Sequence, residues 1–155
     1  MGRKRHLLVD TLGLVLAVQV TPADRTDREG GREVLQAIRG RFPRRSKIWA
    51  DQGYAGEFAR WAEEFLGISC EIVYPWWRQL KRYFPELYRE LKQGFQVIPK
   101  RWIVERTFAW LTFQRRLVKD YEYGSLTSES WIYLAMIRLM LRRLAADGDL
   151  KQSLV

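Results

Sequence analysis

The chain has one cysteine, Cys70, and one histidine, His6, in 155 residues. An internal disulfide is therefore excluded, and a zinc site built from clustered Cys and His has no ligands to draw on. Cys70 lies inside the apolar run Ile68-Ser-Cys-Glu-Ile-Val-Tyr74, where a thiol reads as buried and inert, as expected in a reducing cytoplasm. No apolar stretch reaches the ~20 residues that a membrane span requires. The best candidate, around Trp131–Leu144, is interrupted by Arg138, Arg142 and Arg143. At the start, Arg3, Lys4 and Arg5 lead straight into a short strand-like run, which is not a secretory signal. Gly30-Gly31 has neither the Walker lysine nor the dinucleotide fingerprint, so phosphate loops of those kinds are excluded. Repeats, low-complexity tracts and interdomain linkers are lacking too, which leaves one domain over 1–145 and a polar tail over 146–155.

What is abundant is positive charge. Lys and Arg number 27 against 18 Asp and Glu, a net charge of +9. Such a surplus suits a polyanionic partner, most simply nucleic acid, whose phosphates lose counterions when basic side chains neutralise them. Ribosome-binding and membrane-surface proteins share this composition. The 47% hydrophobic content supports a real core.

The periodicities predict an α/β domain. Leu7-Leu8-Val9 and Leu14–Val20 flank the turn Asp10-Thr-Leu-Gly13 as a hairpin. Thr21–Asp27 caps a helix that ends near residue 39, and Lys47-Ile-Trp-Ala50 is a strand. Glu57–Leu66 is an amphipathic helix stopped by Gly67, with Phe58, Trp61, Ala62, Phe65 and Leu66 inward. Ile68–Tyr74 is a strand closed by Pro75. A short helix, a strand at Phe95–Ile98 and two helices follow, the last apolar nearly all round. Around the short helix, Trp76, Trp77, Arg78, Lys81, Arg82, Arg89 and Lys92 interleave aromatics with cations. This is the composition of a peripheral packing helix, and equally of a surface that stacks on splayed bases.

Two carboxylates stand out. Asp51 is delivered by a strand to the turn Gln52-Gly-Tyr-Ala-Gly56, the kind of strand end where sites form in α/β sheets; an Asp there also caps turns. Glu105 lies one turn after Arg101 in the helical segment Arg101–Trp110, whose Trp102, Ile103, Phe108, Ala109, Trp110 and Phe113 predict one broad buried face. Its i,i+4 pairing with Arg101 is ordinarily a surface salt bridge. Together, two such carboxylates are suitable ligands for a hard cation.

Four ordered blocks, Gly2-Arg-Lys-Arg-His-Leu-Leu-Val-Asp10-Thr-Leu-Gly13, Ala50–Gly56, Val104–Leu111 and Arg116–Glu122, resemble the DDE transposases of bacterial insertion sequences, specifically the IS-five type within the IS-four-like group. Of the related IS-four signature, Arg101 and Glu105 match, while Ile98 and Thr112 stand where Tyr and Lys are expected. That favours the IS-five branch and passes phosphate gripping to Arg115 or Arg116. The resemblance implies an RNase-H-like mixed sheet flanked by helices. Asp51 and Glu105 become the second and third metal-binding carboxylates for Mg²⁺ (or Mn²⁺). Arg101, Arg106, Arg115, Arg116 and Lys119 become DNA contacts.

By the same resemblance the first Asp belongs on a central strand just upstream of Gly2, and the sequence begins at Met1. Asp10, in its hairpin turn, does not replace it. The implied protein is the distal product of a split or frameshifted gene, or a truncated remnant, completed by an upstream segment in fusion or in trans. The complete enzyme is expected to act as a homo-oligomer on element ends and target DNA. The alternatives are a DNA-binding remnant without chemistry, able to interfere with the full transposase, and an RNase-H-like nuclease that does not transpose.

Overall fold

The computed structural model describes residues 2–43, 46–75, 77–91, 98 and 100–152, with side chains described as far as residue 146. Residues 95–97 of the expected strand at Phe95–Ile98 lie outside the described residues, and so do Trp76 and Lys92. Elements follow in the order β1 (Arg3–Val9), β2 (Val15–Pro22), α1 (Asp27–Ala37), β3 (Lys47–Ala50), α2 (Glu57–Leu66), β4 (Ser69–Ile72), α3 (Trp77–Tyr83), α4 (Pro85–Leu91), α5 (Arg101–Thr112) and α6 (Ser125–Gln152). Two short 3-10 turns, Gln52–Tyr54 and Arg115–Leu117, join them. The α/β class expected from periodicity is present. No helix among the described residues is long and apolar enough to cross a membrane.

The β1–β2 hairpin is the middle of three layers. It is antiparallel, with Leu8 opposite Ala17 and Leu7 opposite Val18. Side chains alternate across a strand, so Leu8 and Ala17 pack with Val34 and Leu35 of α1 and with Ile38, which caps it. Leu7, Val18 and Val20 pack on the other side with Leu111, Ile132 and Met136 of α5 and α6. Both faces of the hairpin are thus covered, which is why β2 reads as a near-continuous apolar run instead of a clean alternation.

At its turn, Asp10 Oδ1 accepts from the N–H groups of Leu12 and Leu14 at 2.9 and 2.8 Å. Asp10 is therefore a turn-forming residue. Helix α1 starts with a full capping box, in which Thr26 Oγ1 accepts from Glu29 N–H and Glu29 returns a bond to Thr26 N–H. Helix α2 buries Phe58 and Ala62 and ends at Gly67 in the left-handed conformation, φ 67°. Such a stop favours glycine.

The second sheet is also two-stranded. Strands β3 and β4 run parallel, with Ala50 opposite Ile72, and Ile48 and the buried Cys70 join the α1 cluster. The hairpin and this pair are not hydrogen-bonded to each other among the described residues. One edge of β1 and one of β3 consequently have no strand partner there.

One expectation about packing changes. The buried residues of α5 are Thr107 and Leu111, whereas Trp102 is 41% and Phe113 83% exposed. The buried stripe runs through Thr107 because the hairpin turn rests on it: Thr107 Oγ1 donates to Gly13 O at 2.7 Å, and Arg106 Nη2 to Leu12 O at 3.0 Å. Helix α6 is covered on one side only. Ile132, Ala135 and Met136 are buried, while Leu134, Ile137, Leu141 and Leu144 face outward. Helical backbone continues to Gln152.

Candidate active site

Between the open edges of β1 and β3 lies a cleft of about 940 Å³. Its apolar lining comes from Leu8, Val34, Leu35, Ile48, Phe58 and Phe108, and its polar lining includes Arg5, Asp27, Asp51, Arg101, Glu105 and Lys119. Both singled-out carboxylates therefore reach one cavity from different elements.

Asp51 follows the last residue of β3 and caps the 3-10 turn, its Oδ1 accepting from Gly53 N–H at 2.8 Å. The capping role and a position in the cleft coexist in this residue. Glu105 projects from the second turn of α5 and forms the expected i,i+4 bridge, Arg101 Nε to Glu105 Oε1 at 2.9 Å. With both side chains more than a third exposed, the bridge adds only a few tenths of a kcal/mol to stability. Its effect is chiefly to hold two cleft-lining groups side by side.

The other basic residues fall into two groups. Lys119 lines the cleft with Arg101, together with Lys100 and Arg5, which the sequence did not single out. Arg106, Arg115 and Arg116 do not line it. Arg106 is committed to the hairpin turn and stacks 4.9 Å from the Trp110 ring. Arg116 bridges Glu122 at 3.0 Å and lies over Trp131. Arg115 is exposed on the short 3-10 turn.

Asp27 is an unanticipated neighbour. A Cβ built on Gly53 would stand 2.9 Å from Asp27 Oδ2 and 3.0 Å from Asp51 Oδ1, so the two carboxylates flank that glycine. Lys4 Nζ pairs with Asp27 at 3.2 Å. Behind them, buried His6 shares hydrogen bonds with Tyr54 Oη at 3.2 Å and Thr21 Oγ1 at 3.0 Å. Burial drives the His6 pKa below its ordinary value, against a smaller upward pull from Asp27. The ring is neutral at pH 7, hydrogen-bonded and structural. Burial, aided by Asp51 and Asp27, pushes the Tyr54 phenol up, so Tyr54 stays an uncharged bonding partner directly after the Asp51 turn.

On the opposite flank Arg3 reaches Asp120 at 3.4 Å and Ser128 Oγ at 3.1 Å. Burial raises the Asp120 pKa, but hydrogen bonds from Ser128 and Glu122 N–H, with Arg3 and Arg5 nearby, outweigh it and hold the carboxyl below its ordinary range. Asp120 is thus ionised and ties β1 to the start of α6.

Two carboxylates set on different elements around one cleft suit a hard cation that fills the rest of its shell with water and substrate phosphate oxygens. No group of three or more His, Cys, Asp or Glu able to hold a metal forms among the described residues.

Comparison with known proteins gives a consistent picture. Residues 1–140 match the family model described as "Transposase DDE domain". The chain is 32% identical over 128 residues to a Burkholderia cepacia protein named "Putative transposase for insertion sequence element IS402", an alignment covering 78% of this chain and 54% of that protein. The chain spans about half the length of the curated relative it matches. No solved structure matches.

Proposed function

This chain belongs to the DDE transposase family, and from that premise we propose that its cleft is part of a metal-dependent phosphoryl-transfer site acting on the ends of an insertion sequence. The observation that carries the reading is the convergence of Asp51 and Glu105 on a cleft bounded by two open strand edges. An extended segment from outside residues 1–155 enters that cleft, pairs with β1 and β3, and brings the remaining carboxylate. The result is one mixed RNase-H-like sheet with three metal-binding side chains. The cleft's apolar lining supports this: it suits the buried faces of a central strand.

In this reading Asp51 and Glu105 hold Mg²⁺ or Mn²⁺. The bound ion supplies Lewis acidity, polarising a phosphate and lowering the pKa of water. Arg101 holds the Glu105 carboxylate in position through their 2.9 Å bridge. Lys100, Lys119 and Arg5 set the phosphodiester in the cleft through charge-assisted bonds. Water attacks phosphorus at the element end and the 3′ oxygen leaves as a hydroxyl. That hydroxyl then attacks a target phosphodiester, one P–O bond forming as another breaks. The chain works in the cytoplasm as part of a homo-oligomer on DNA.

The test is to supply the segment encoded upstream, fused or in trans, and assay cleavage of an element-end duplex. Asp51→Asn and Glu105→Gln are expected to abolish metal-dependent cleavage while leaving DNA affinity within about threefold. Cleavage that survives either substitution refutes the assignment. If the chain with its upstream segment binds element ends but never cuts them, the DNA-binding remnant is the correct reading.

A further inference from the structure

We propose that α3, with Tyr74 before it and Phe84 after it, is a stacking platform for unpaired bases beside the Asp51 cleft; the proposal rests on the phosphoryl-transfer reading above and adds where the strand is held open. Strands β3 and β4 are parallel, and Val73 N–H donates to Ala50 O at 2.7 Å. Asp51 and Tyr74 therefore leave the sheet at the same end, so a strand lying across Asp51 passes the α3 region next.

Helices α3 and α4 bury no residue, yet they carry rings that a merely solvated surface would not use. Tyr83 is 64%, Phe84 62% and Tyr74 43% exposed. The three cations Arg78, Lys81 and Arg82 are the only charged residues of α3. Two of them are poised over these rings, Arg78 4.2 Å from Tyr74 and Arg82 5.5 Å from Tyr83. A guanidinium occupies one face of a ring and leaves the other for a base, while its charge meets the adjoining phosphate. An apolar protein partner would have to desolvate the same cations without compensation. The charge thus selects a nucleic acid over a hydrophobic peptide, and the exposed π-faces select unpaired bases over a closed duplex.

Fluorescence anisotropy on the full chain tests this, using a labelled blunt duplex and the same duplex with one non-complementary, splayed end. The expected result is about tenfold tighter binding of the splayed end, the effect of roughly one stacked base. Tyr83→Ala with Phe84→Ala should remove that preference, leave blunt-duplex affinity within about twofold and leave the melting temperature unchanged, since neither ring is buried. Arg78→Gln with Arg82→Gln should weaken both duplexes and reduce the slope of log affinity on log salt by about two. Equal binding of the two duplexes by the parent chain, or a preference that survives loss of both rings, overturns the platform. Concentration-dependent self-association that disappears in the Tyr83→Ala, Phe84→Ala variant would assign the face to a second copy and overturn it too. The two failures are separable: cleavage without the preference sinks the platform alone, and the preference without cleavage sinks the strand-cutting reading alone.

Discussion

Replacing Gly30 with alanine sets helix propensity against packing, and the structure says packing wins. Gly30 is a buried residue inside α1, where alanine would ordinarily stabilise by about 0.8–1.0 kcal/mol. The added Cβ, however, would sit 2.2 Å from His6 Nε2 and 2.3 and 2.5 Å from two ring carbons. His6 is 3% exposed and bonded to both Tyr54 and Thr21, so the ring cannot turn aside without giving up bonds in a dry environment. Overpacking costs about 1–3 kcal/mol, and leaving buried polar groups unpaired costs about 1–3 more. The net expectation is a loss of about 1–5 kcal/mol, which at ~2–4 °C per kcal/mol lowers the melting temperature by roughly 2–20 °C. Thermal unfolding followed by circular dichroism reads it. The decisive comparison is the double-mutant cycle with His6→Ala: once the ring is gone, Gly30→Ala should be neutral or stabilising, so the two changes couple strongly. A Gly30→Ala protein that melts higher than the parent, or a cycle with no coupling, refutes the reasoning.

Three further outcomes follow from the same geometry. His6 has a folded-state pKa below its ordinary 6.5, so the folded state binds its proton less readily than the unfolded chain does. Its contribution is complete above pH 6.5 and is lost as pH falls through the lowered value; His6→Gln should flatten the decline of melting temperature just below pH 6.5 relative to its own value at neutral pH. Glu129 is buried on α6 and accepts from Val20 N–H at 2.9 Å. Glu129→Ala should cost about 1–3 kcal/mol by orphaning that donor, while Glu129→Gln, which keeps an acceptor oxygen, should cost clearly less in a urea titration. Leu111 is fully buried between α6 and the hairpin, and Leu111→Ala should cost about 2–5 kcal/mol, readable as a lower denaturant midpoint with an unchanged slope.

The parts of the molecule legible in sequence are those whose signals are local. The hairpin, the Thr26 cap, the Gly67 stop and the strand that ends at Asp51 depend on neighbours a few residues away. The parts that were not legible depend on distant chain segments meeting. Gly30-Gly31 reads as a weak first turn, but its reason is spatial: the His6 ring lies against one glycine, and the Tyr54 and Phe58 rings lie 2.6 and 2.8 Å from a Cβ on the next. Asp27 gives no sign that it will flank Gly53 with Asp51. The buried face of α5 is not legible because one of its two fully buried positions carries a hydroxyl, and hydrophobic periodicity does not register a threonine that holds a carbonyl. Nor does the sequence say that Arg106 holds a turn and Arg116 a carboxylate, because both partners lie on other segments.

The seating of the β1–β2 turn on α5 also determines where the chain tolerates extra material. Hairpin tips are usual places for an epitope tag or an inserted domain, but here Gly13 has φ 82° and its Cβ position is 2.9 Å from Thr107 Oγ1 and 3.0 Å from the Trp110 ring. A tag between Asp10 and Gly13 would pry the turn from the helix that carries Glu105, so its damage would register at a carboxylate far along the chain.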